Sequence, residues 1–346
     1  MKKDDELLEE ISQGVGKKNW LDERYTYNDL LAADLPEPAW FVPGLIPNPG
    51  LVAVTGRPGH FKSFFIQWMG MRLAAHLPLF DDWDRPGKYH EPVNVLFIEE
   101  EMNARQMKKR CVDMKQYKID NFHWLISTGF TIKNGKELNK VAIEELRYFV
   151  EEHNIKLIIL DPFTTCAGLV DENSNSEARM VMDAIRHEFV DSTHGATVIF
   201  IHHPAKNAQN GENIRGAGDI LGKVDMHFTL EKQGEEPTTT ISVKCHKTRY
   251  EQPENFSATM VEDSDDWGRL MWVYDDSLKS KYVKERDELK DKILEVIKGQ
   301  EDVTKTYVAE RVNHDRTGDK FKNVWKDLEE THQIENCGGY KWRIKS

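Results

Sequence analysis

The segment Gly56-Arg57-Pro58-Gly59-His60-Phe61-Lys62-Ser63 holds the residue types needed to grip a polyphosphate. Its glycines let successive backbone N–H groups curl around phosphate oxygens, and a helix starting behind them adds the positive end of its dipole. Lys62 supplies a cation for the β- and γ-phosphates, and the Ser63 hydroxyl supplies a ligand for Mg2+. Gly56 to Phe64 is therefore the expected nucleotide-binding segment, with ATP and Mg2+ as its ligands. Phe61 stands where this motif ordinarily has glycine, and a β-carbon there restricts the backbone. A chance glycine turn beside a lysine would share the composition, but not the position between an apolar strand and a helix.

Hydrolysis needs further groups around that loop. Asp161 ends the apolar run KLIILD, where a carboxylate facing the loop can order the metal shell. A capping aspartate is the plainer reading of the same residue. Glu99, Glu100 and Glu101 follow VNVLFI, and one of them can orient and deprotonate an attacking water while others stay solvated. His202 and His203 end ATVIFI, where a polar side chain can sense the γ-phosphate. A structural pair is the alternative. No carboxylate or cysteine at metal spacing accompanies them, which argues against a metal site.

The surrounding pattern can carry these residues to one edge. LVAVTG from Leu51, VNVLFIEE (93–100), KLIILD (156–161) and ATVIFIHH (196–203) read as buried strands. Helices are expected from Ser63 to about Ala75, through Arg110, and over 138–153. Strands alternating with helices imply an α/β fold, a mostly parallel sheet with helices on both faces. DMHFTLEK, TTTISVKCHK and RLMWVYD come in quicker succession and predict an antiparallel extension. From about Lys284, three helices and a hairpin around Gly338 and Gly339 have the outline of a small C-terminal winged helix. Residues 1–37 read as a charged arm and linker, 38–280 as the ATPase domain and 281–346 as the winged-helix-like domain.

The chain has 346 residues and a net charge of −12, which argues against a nucleic-acid coat protein. DNA contact through a local basic pore in an oligomer remains compatible with that charge. The opening MKKDDELLEE lacks the apolar region of a secretory signal, and no apolar run is long enough to span a bilayer. Cys111, Cys166, Cys245 and Cys337 are scattered and read as reduced thiols, with neither a disulfide framework nor a zinc site. A cytoplasmic protein that does not engage a membrane is expected.

Over roughly residues 38–250 the chain resembles the RepA-type branch of the RecA-like ring ATPases, seen in plasmid and phage replicative helicases. WFVPGLIPNPGLVAVTGRPGHFKSF is similar to that family's phosphate-loop region, which often tolerates phenylalanine at the position of Phe61. In VLFIEEEMNARQMKKR the family's catalytic glutamate precedes an arginine by nine positions, a spacing that selects Glu101 with Arg110 and leaves Glu100 in reserve. LIILDPF resembles the Walker B segment, and the DEN at 171–173 recurs in the family. VIFIHHPAK resembles the sensor strand, with His203 as sensor and Lys206 in the loop beyond. IRGAGDILGKVD resembles a central-channel loop, with Arg215 and Lys223 as phosphate contacts for DNA. KTR, with Lys247 and Arg249, matches the pattern inserted into a neighbour's ATP site.

The resemblance implies an ATP-hydrolysing, ring-shaped DNA helicase, a hexamer translocating on single-stranded DNA with replication proteins as possible partners. A RecA-like recombination or strand-annealing ATPase would share every ATP-site residue. A non-motor regulator, in which ATP switches assembly and the winged helix binds an origin or promoter, is a further alternative. The helix carrying Lys320, Lys322 and Lys326 also carries Asp319, Asp327, Glu329 and Glu330, so it fits a protein-binding or structural winged helix at least as well.

Overall fold

Two apolar alternations run through the central strands, and each feeds a different face of one sheet. Val52, Val54, Phe97, Ile159 and Ile199 join one buried cluster, while Leu51, Ala53, Leu96, Ile98, Leu160 and Phe200 join another. Successive side chains of a strand point to opposite faces, so a strand apolar at every position must be covered on both. The computed structural model shows this arrangement. It describes residues 24–34, 38–81, 91–115, 117–171, 174–203, 217–233, 239–263, 269–275, 281–298, 300, 303–314, 319–331 and 333–344.

The chain divides into two compact units, Met1–Pro38 and Ala39–Ser346. Among its described residues the first holds one short helix, α1 (Tyr27–Ala32), started by a capping box between Thr26 and Asp29.

The second unit begins with the small pair β1 (Trp40–Val42) and β2 (Ile46–Pro47), then β3 (Leu51–Thr55) and helix α2 (Lys62–Ala74). It continues through β4 (Val95–Glu99), α3 (Ala104–Asp113), β5 (Phe122–Ile126), the short pair β6 (Lys133–Asn134) and β7 (Glu137–Leu138), and α4 (Lys140–Glu152). Next come β8 (Leu157–Asp161), α5 (Phe163–Ala167), α6 (Asn175–Ile185) with a π turn at Arg186–Val190, β9 (Thr197–His202) and α7 (Ala217–Lys223). Four strands follow: β10 (Met226–Gln233), β11 (Thr239–Thr248), β12 (Phe256–Glu262) and β13 (Leu270–Asp275).

Nine strands form one sheet in the order β13-β12-β11-β10-β3-β9-β8-β4-β5. From β10 to β5 neighbouring strands are parallel; from β10 to β13 they are antiparallel. This is the mostly parallel α/β sheet with helices on both faces expected from the sequence, antiparallel extension included. Helix α2 covers one face through Phe65, Trp68 and Met69, and α4, α5 and α6 cover the other. Strands β5 and β12 were not expected. Residues of β5 are all half-buried, the signature of an edge strand without a clean apolar stripe.

The C-terminal residues form α8 (Lys281–Lys298), β14 (Val303–Thr304), α9 (Lys305–Arg311), α10 (Asp319–Glu330), β15 (Ile334–Gly338) and β16 (Lys341–Ile344). The strands pair in the order β14-β16-β15. Leu289, Ile293, Val308, Phe321, Trp325 and Leu328 make a separate buried cluster there. No helix among the described residues is long and apolar enough to cross a membrane.

His227 on β10 ties the sheet beneath the phosphate loop, sharing a 2.8 Å hydrogen bond between its Nε2 and Thr55 Oγ1 at the end of β3. Burial, with His246 and Lys247 nearby, pushes this histidine from 6.5 down to about 3. An unfolded chain takes up the proton near 6.5, whereas the folded chain does so only near 3, so this contribution to stability is intact above 6.5 and lost as pH falls through that window. Urea unfolding midpoints should therefore drop from pH 6.5 towards 3, and His227→Gln should flatten the drop by up to about 1.4 kcal/mol per pH unit. Equal slopes in both proteins would contradict it.

Candidate active site at the strand tips

Four parallel strands end level with one another, and the reactive side chains sit on those ends. Thr55 of β3 lies opposite His202 of β9, and Glu99 of β4 lies opposite Asp161 of β8. The β9 strand separates the phosphate-loop strand from the Asp161 strand, so the carboxylate faces the loop across a gap instead of bonding to it through backbone.

The loop itself is clamped from beneath by β10. Gly56 has φ +154°, and a β-carbon there would lie 2.3 Å from the Leu230 carbonyl oxygen, so only glycine fits. His60 Nδ1 accepts a 3.3 Å hydrogen bond from Lys232 N. Lys62, at the start of α2, is buried and donates from Nζ to the Arg57 carbonyl at 3.0 Å. Burial lowers its pKa, while the nearby Asp161 and Glu101 carboxylates pull it back up. Lysine and the two acids thus share one electrostatic site.

Phe61 has φ 58° and ψ 19°, the left-handed conformation that glycine usually supplies. That conformation costs a non-glycine residue about 1–2 kcal/mol. Its ring packs edge-on against Trp272 at 6.3 Å, and Lys232 Nζ lies 5.8 Å from the ring centroid. An aromatic pair contributes about 0.5–1.5 kcal/mol, so packing offsets much of the strain. The departure from glycine is accommodated by the β13 extension.

Asp161 is 3% exposed. Burial, reinforced by Glu99 beside it, raises its pKa to about 7, and a hydrogen bond from Ser63 opposes the rise. A hydroxyl and a poorly solvated carboxylate meeting at the mouth of a phosphate loop are oxygen ligands suited to Mg2+, whose charge would favour the ionised form of Asp161. The donor set fits that ion.

The three glutamates have three different surroundings. Glu99 is buried and accepts 2.8 Å bonds from the backbone N–H groups of Glu101 and Met102, yet desolvation still raises its pKa. Glu100 points away to a loop, accepting from Thr128 N, Thr128 Oγ1, Gly129 N and Phe130 N. Those bonds tie the Glu100 carboxylate to residues 128–130. Glu101 is the exposed member and the one that acts on Lys62. Sequence reasoning missed Glu99 as the inner carboxylate. Its place as the last residue of an uninterrupted buried strand was the available signal. Arg110, on α3, faces Glu99 and Asp161, and its Nη1 is buried without a hydrogen-bond partner.

His203 lies one residue past the end of β9 and is half-buried; His202, fully buried, packs edge-on against Phe163 at 5.5 Å. Lys206 and Arg215 fall outside the described residues. Lys223 is ion-paired to Asp183. Lys247 Nζ rests on the carbonyls of Leu221 and Gly222, and Arg249 binds Asp225 Oδ1 and the Gly222 carbonyl, each at 3.0 Å. Asp225 in turn accepts from Leu51 N, at the opposite end of β3 from the phosphate loop. Lys247 and Arg249 are therefore not brought to their own chain's phosphate loop: the strand alone sets them back by about 13 Å.

A strand, a glycine loop closed by Lys62 and Ser63, and an acid on a second strand define a P-loop ATPase core. Residues 22–209, over half of the chain, match the family described as AAA domain, and the chain belongs to that family. Among solved structures it is similar to a KaiC-like protein from the hyperthermophilic archaeon Pyrococcus horikoshii OT3, at 14% identity over 66% of this chain and 90% of that one, with a TM-score of 0.45. No curated protein matches it.

The separation of the glutamates is testable. Glu101→Gln should retain ATP binding and lose turnover by about 100-fold or more, since an amide cannot accept the water's proton. Glu100→Gln should lower the melting temperature with a smaller loss of turnover. The reverse pattern, read from single-turnover hydrolysis and thermal melts, would exchange the two roles.

Proposed function

We propose that the chain is a subunit of a ring-shaped, ATP-driven DNA helicase that hydrolyses ATP between subunits and translocates on single-stranded DNA. The observation that carries the proposal is the split of the chemistry between the two ends of the sheet. Lys62, Ser63, Asp161 and Glu101 gather at one end, while Lys247 and Arg249 lie at the other. Cations that cannot reach their own phosphate loop become useful to hydrolysis when a neighbouring copy presents its own.

In this reading the loop N–H groups and Lys62 hold the β- and γ-phosphates. Ser63 and Asp161 hold Mg2+, which supplies charge neutralisation on the phosphate oxygens. Glu101 accepts a proton as water oxygen bonds to the γ-phosphorus, and the bond from that phosphorus to the β–γ bridging oxygen breaks, leaving ADP and phosphate. Arg249 and Lys247 of a neighbouring copy stabilise the charge that develops. His203, at the tip of β9, relays loss of the γ-phosphate to the following segment, where Lys206, Arg215 and Lys223 would contact the phosphates of one strand in a sequence-independent, salt-sensitive way. Lys223 must leave Asp183 to do so. We read the three helices and antiparallel strands after Lys281 as a winged helix.

Two measurements test the proposal. Single-stranded DNA should stimulate ATP turnover, and the protein should unwind a forked duplex. Annealing without unwinding would favour the recombination-type alternative, and slow, DNA-independent turnover with sequence-specific duplex binding the regulator. Arg249→Ala should lose turnover by about 10³-fold, and mixing it with Lys62→Ala subunits should restore part of the activity. Wild-type turnover in Arg249→Ala alone would remove the shared-site mechanism.

A further inference from the structure

The C-terminal residues carry a cleft that the ATP-site chemistry does not use. It has a volume of about 600 Å³ and lies among Thr304, Lys305, Lys322, Asn336, Tyr340 and Trp342. Strands β15 and β16 form one wall, and the first residues of α9 with Lys322 and Glu329 of α10 form the others.

Three observations give the cleft a chemical preference. The first is charge. Residues 281–346 contain 15 Lys and Arg against 14 Asp and Glu, whereas the whole chain has 47 against 59. The acidic excess therefore lies elsewhere, and Lys305 and Lys322 line this cleft. Its one lining acid, Glu329, is held by Trp325 Nε1 at 2.7 Å. The second is the hairpin tip. Tyr340 is 88% exposed, in the turn between β15 and β16, with Lys341 exposed beside it. The third is the support beneath. Trp342 meets Trp325 edge-on at 5.5 Å, Lys305 Nζ lies 5.0 Å from the Trp325 ring centroid, and Arg343 pairs with Glu335 across the hairpin. The aromatic tip thus stands on an ordered platform.

We propose that this cleft binds unpaired nucleic acid, with Tyr340 as a stacking surface for a base and Lys305, Lys322 and Lys341 as phosphate contacts. An exposed aromatic ring lining the same cleft as two lysines is the combination that holds single strands, because every unstacked base offers a π-face and every linkage a charge. A duplex is the poorer fit. Its stacked bases offer no free face to Tyr340. The helix that would enter a groove, α10, carries Asp327 and Glu329 beside Lys322 and Lys326. Asp327 is paired with Lys290. The proposal rests on none of the ATP-site residues and stands whether or not the protein unwinds DNA.

The test uses the full-length protein and a thymidine oligonucleotide carrying 5-iodouracil, photocrosslinked without nucleotide and mapped by peptide mass spectrometry. Adducts are expected on Tyr340 or Trp342. Tyr340→Ala should remove the Tyr340 adduct and weaken binding by about tenfold, with the melting temperature and basal ATP turnover unchanged. Lys305→Ala and Lys322→Ala should each reduce the salt dependence of binding by about 0.7 in log–log slope. Adducts confined to residues before Lys281, with Tyr340→Ala binding as the wild type does, would overturn the proposal. So would a duplex of the same sequence competing as well as the single strand. Displacement by poly-glutamate with no adduct on the hairpin would reassign the cleft to an acidic protein partner. Failure to unwind a fork, by contrast, would sink only the helicase reading.

Discussion

Asp161 is held inside the protein with the Glu99 carboxylate next to it, a placement that disfavours its own ionisation. Two carboxylates taken out of water at the end of a sheet repel each other and lose hydration. The surroundings hold them there all the same. Backbone N–H groups of Glu101 and Met102 bind Glu99, Ser63 donates to Asp161, and Lys62 and Arg110 supply positive charge nearby. Strand registers fix the pair, since Glu99 and Asp161 are direct neighbours across β4 and β8. A divalent cation bound at Ser63 and Asp161 would relieve this repulsion.

Much of this was legible in the residues. The phosphate loop announced itself by composition and place, and the buried strands by unbroken apolar runs, since a strand covered on both faces has no polar positions to interrupt it. What stayed hidden depended on long-range neighbours. Strand β5 is half-buried throughout, so nothing in FHWLI distinguishes an edge strand from a loop. Glu100 and Glu99 differ by one position and point to opposite faces, and no local pattern reports that the loop at 128–130 waits for Glu100. The resemblance allowed phenylalanine at Phe61, but its partner Trp272, more than 200 residues later, is visible only in the fold.

The far end of the sheet has its own logic. Helix α7 ends with carbonyl groups that have no partner within the helix, and its dipole leaves negative charge there. Lys247, Arg249 and Arg186 all donate to carbonyls of residues 221–223. Asp225 then takes Arg186, Arg249 and the Leu51 N–H together, fastening that helix end to the beginning of β3. The same strand that carries the phosphate loop at its top is thus tied at its bottom to the two cations assigned to a neighbour's site.

On the proposed ring reading, those two duties compete. A guanidinium that donates to Asp225 and Gly222 cannot at the same moment donate to a γ-phosphate on another copy. Arg249 is suited to alternate, because its side chain is 47% exposed while Asp225 is 8% exposed and keeps Arg186 when Arg249 leaves. Each hydrogen bond to a charged group is worth about 1.5–3 kcal/mol net, so a phosphate must offer bonds of that order to draw Arg249 away. Withdrawing Arg249 and Lys247 would strip α7 of two of its three capping cations, and α7 ends in Lys223, one of the residues expected to touch DNA. Hydrolysis in one subunit would then alter helix-end stability in the next, a coupling that needs only two partners of similar strength for the same arginine.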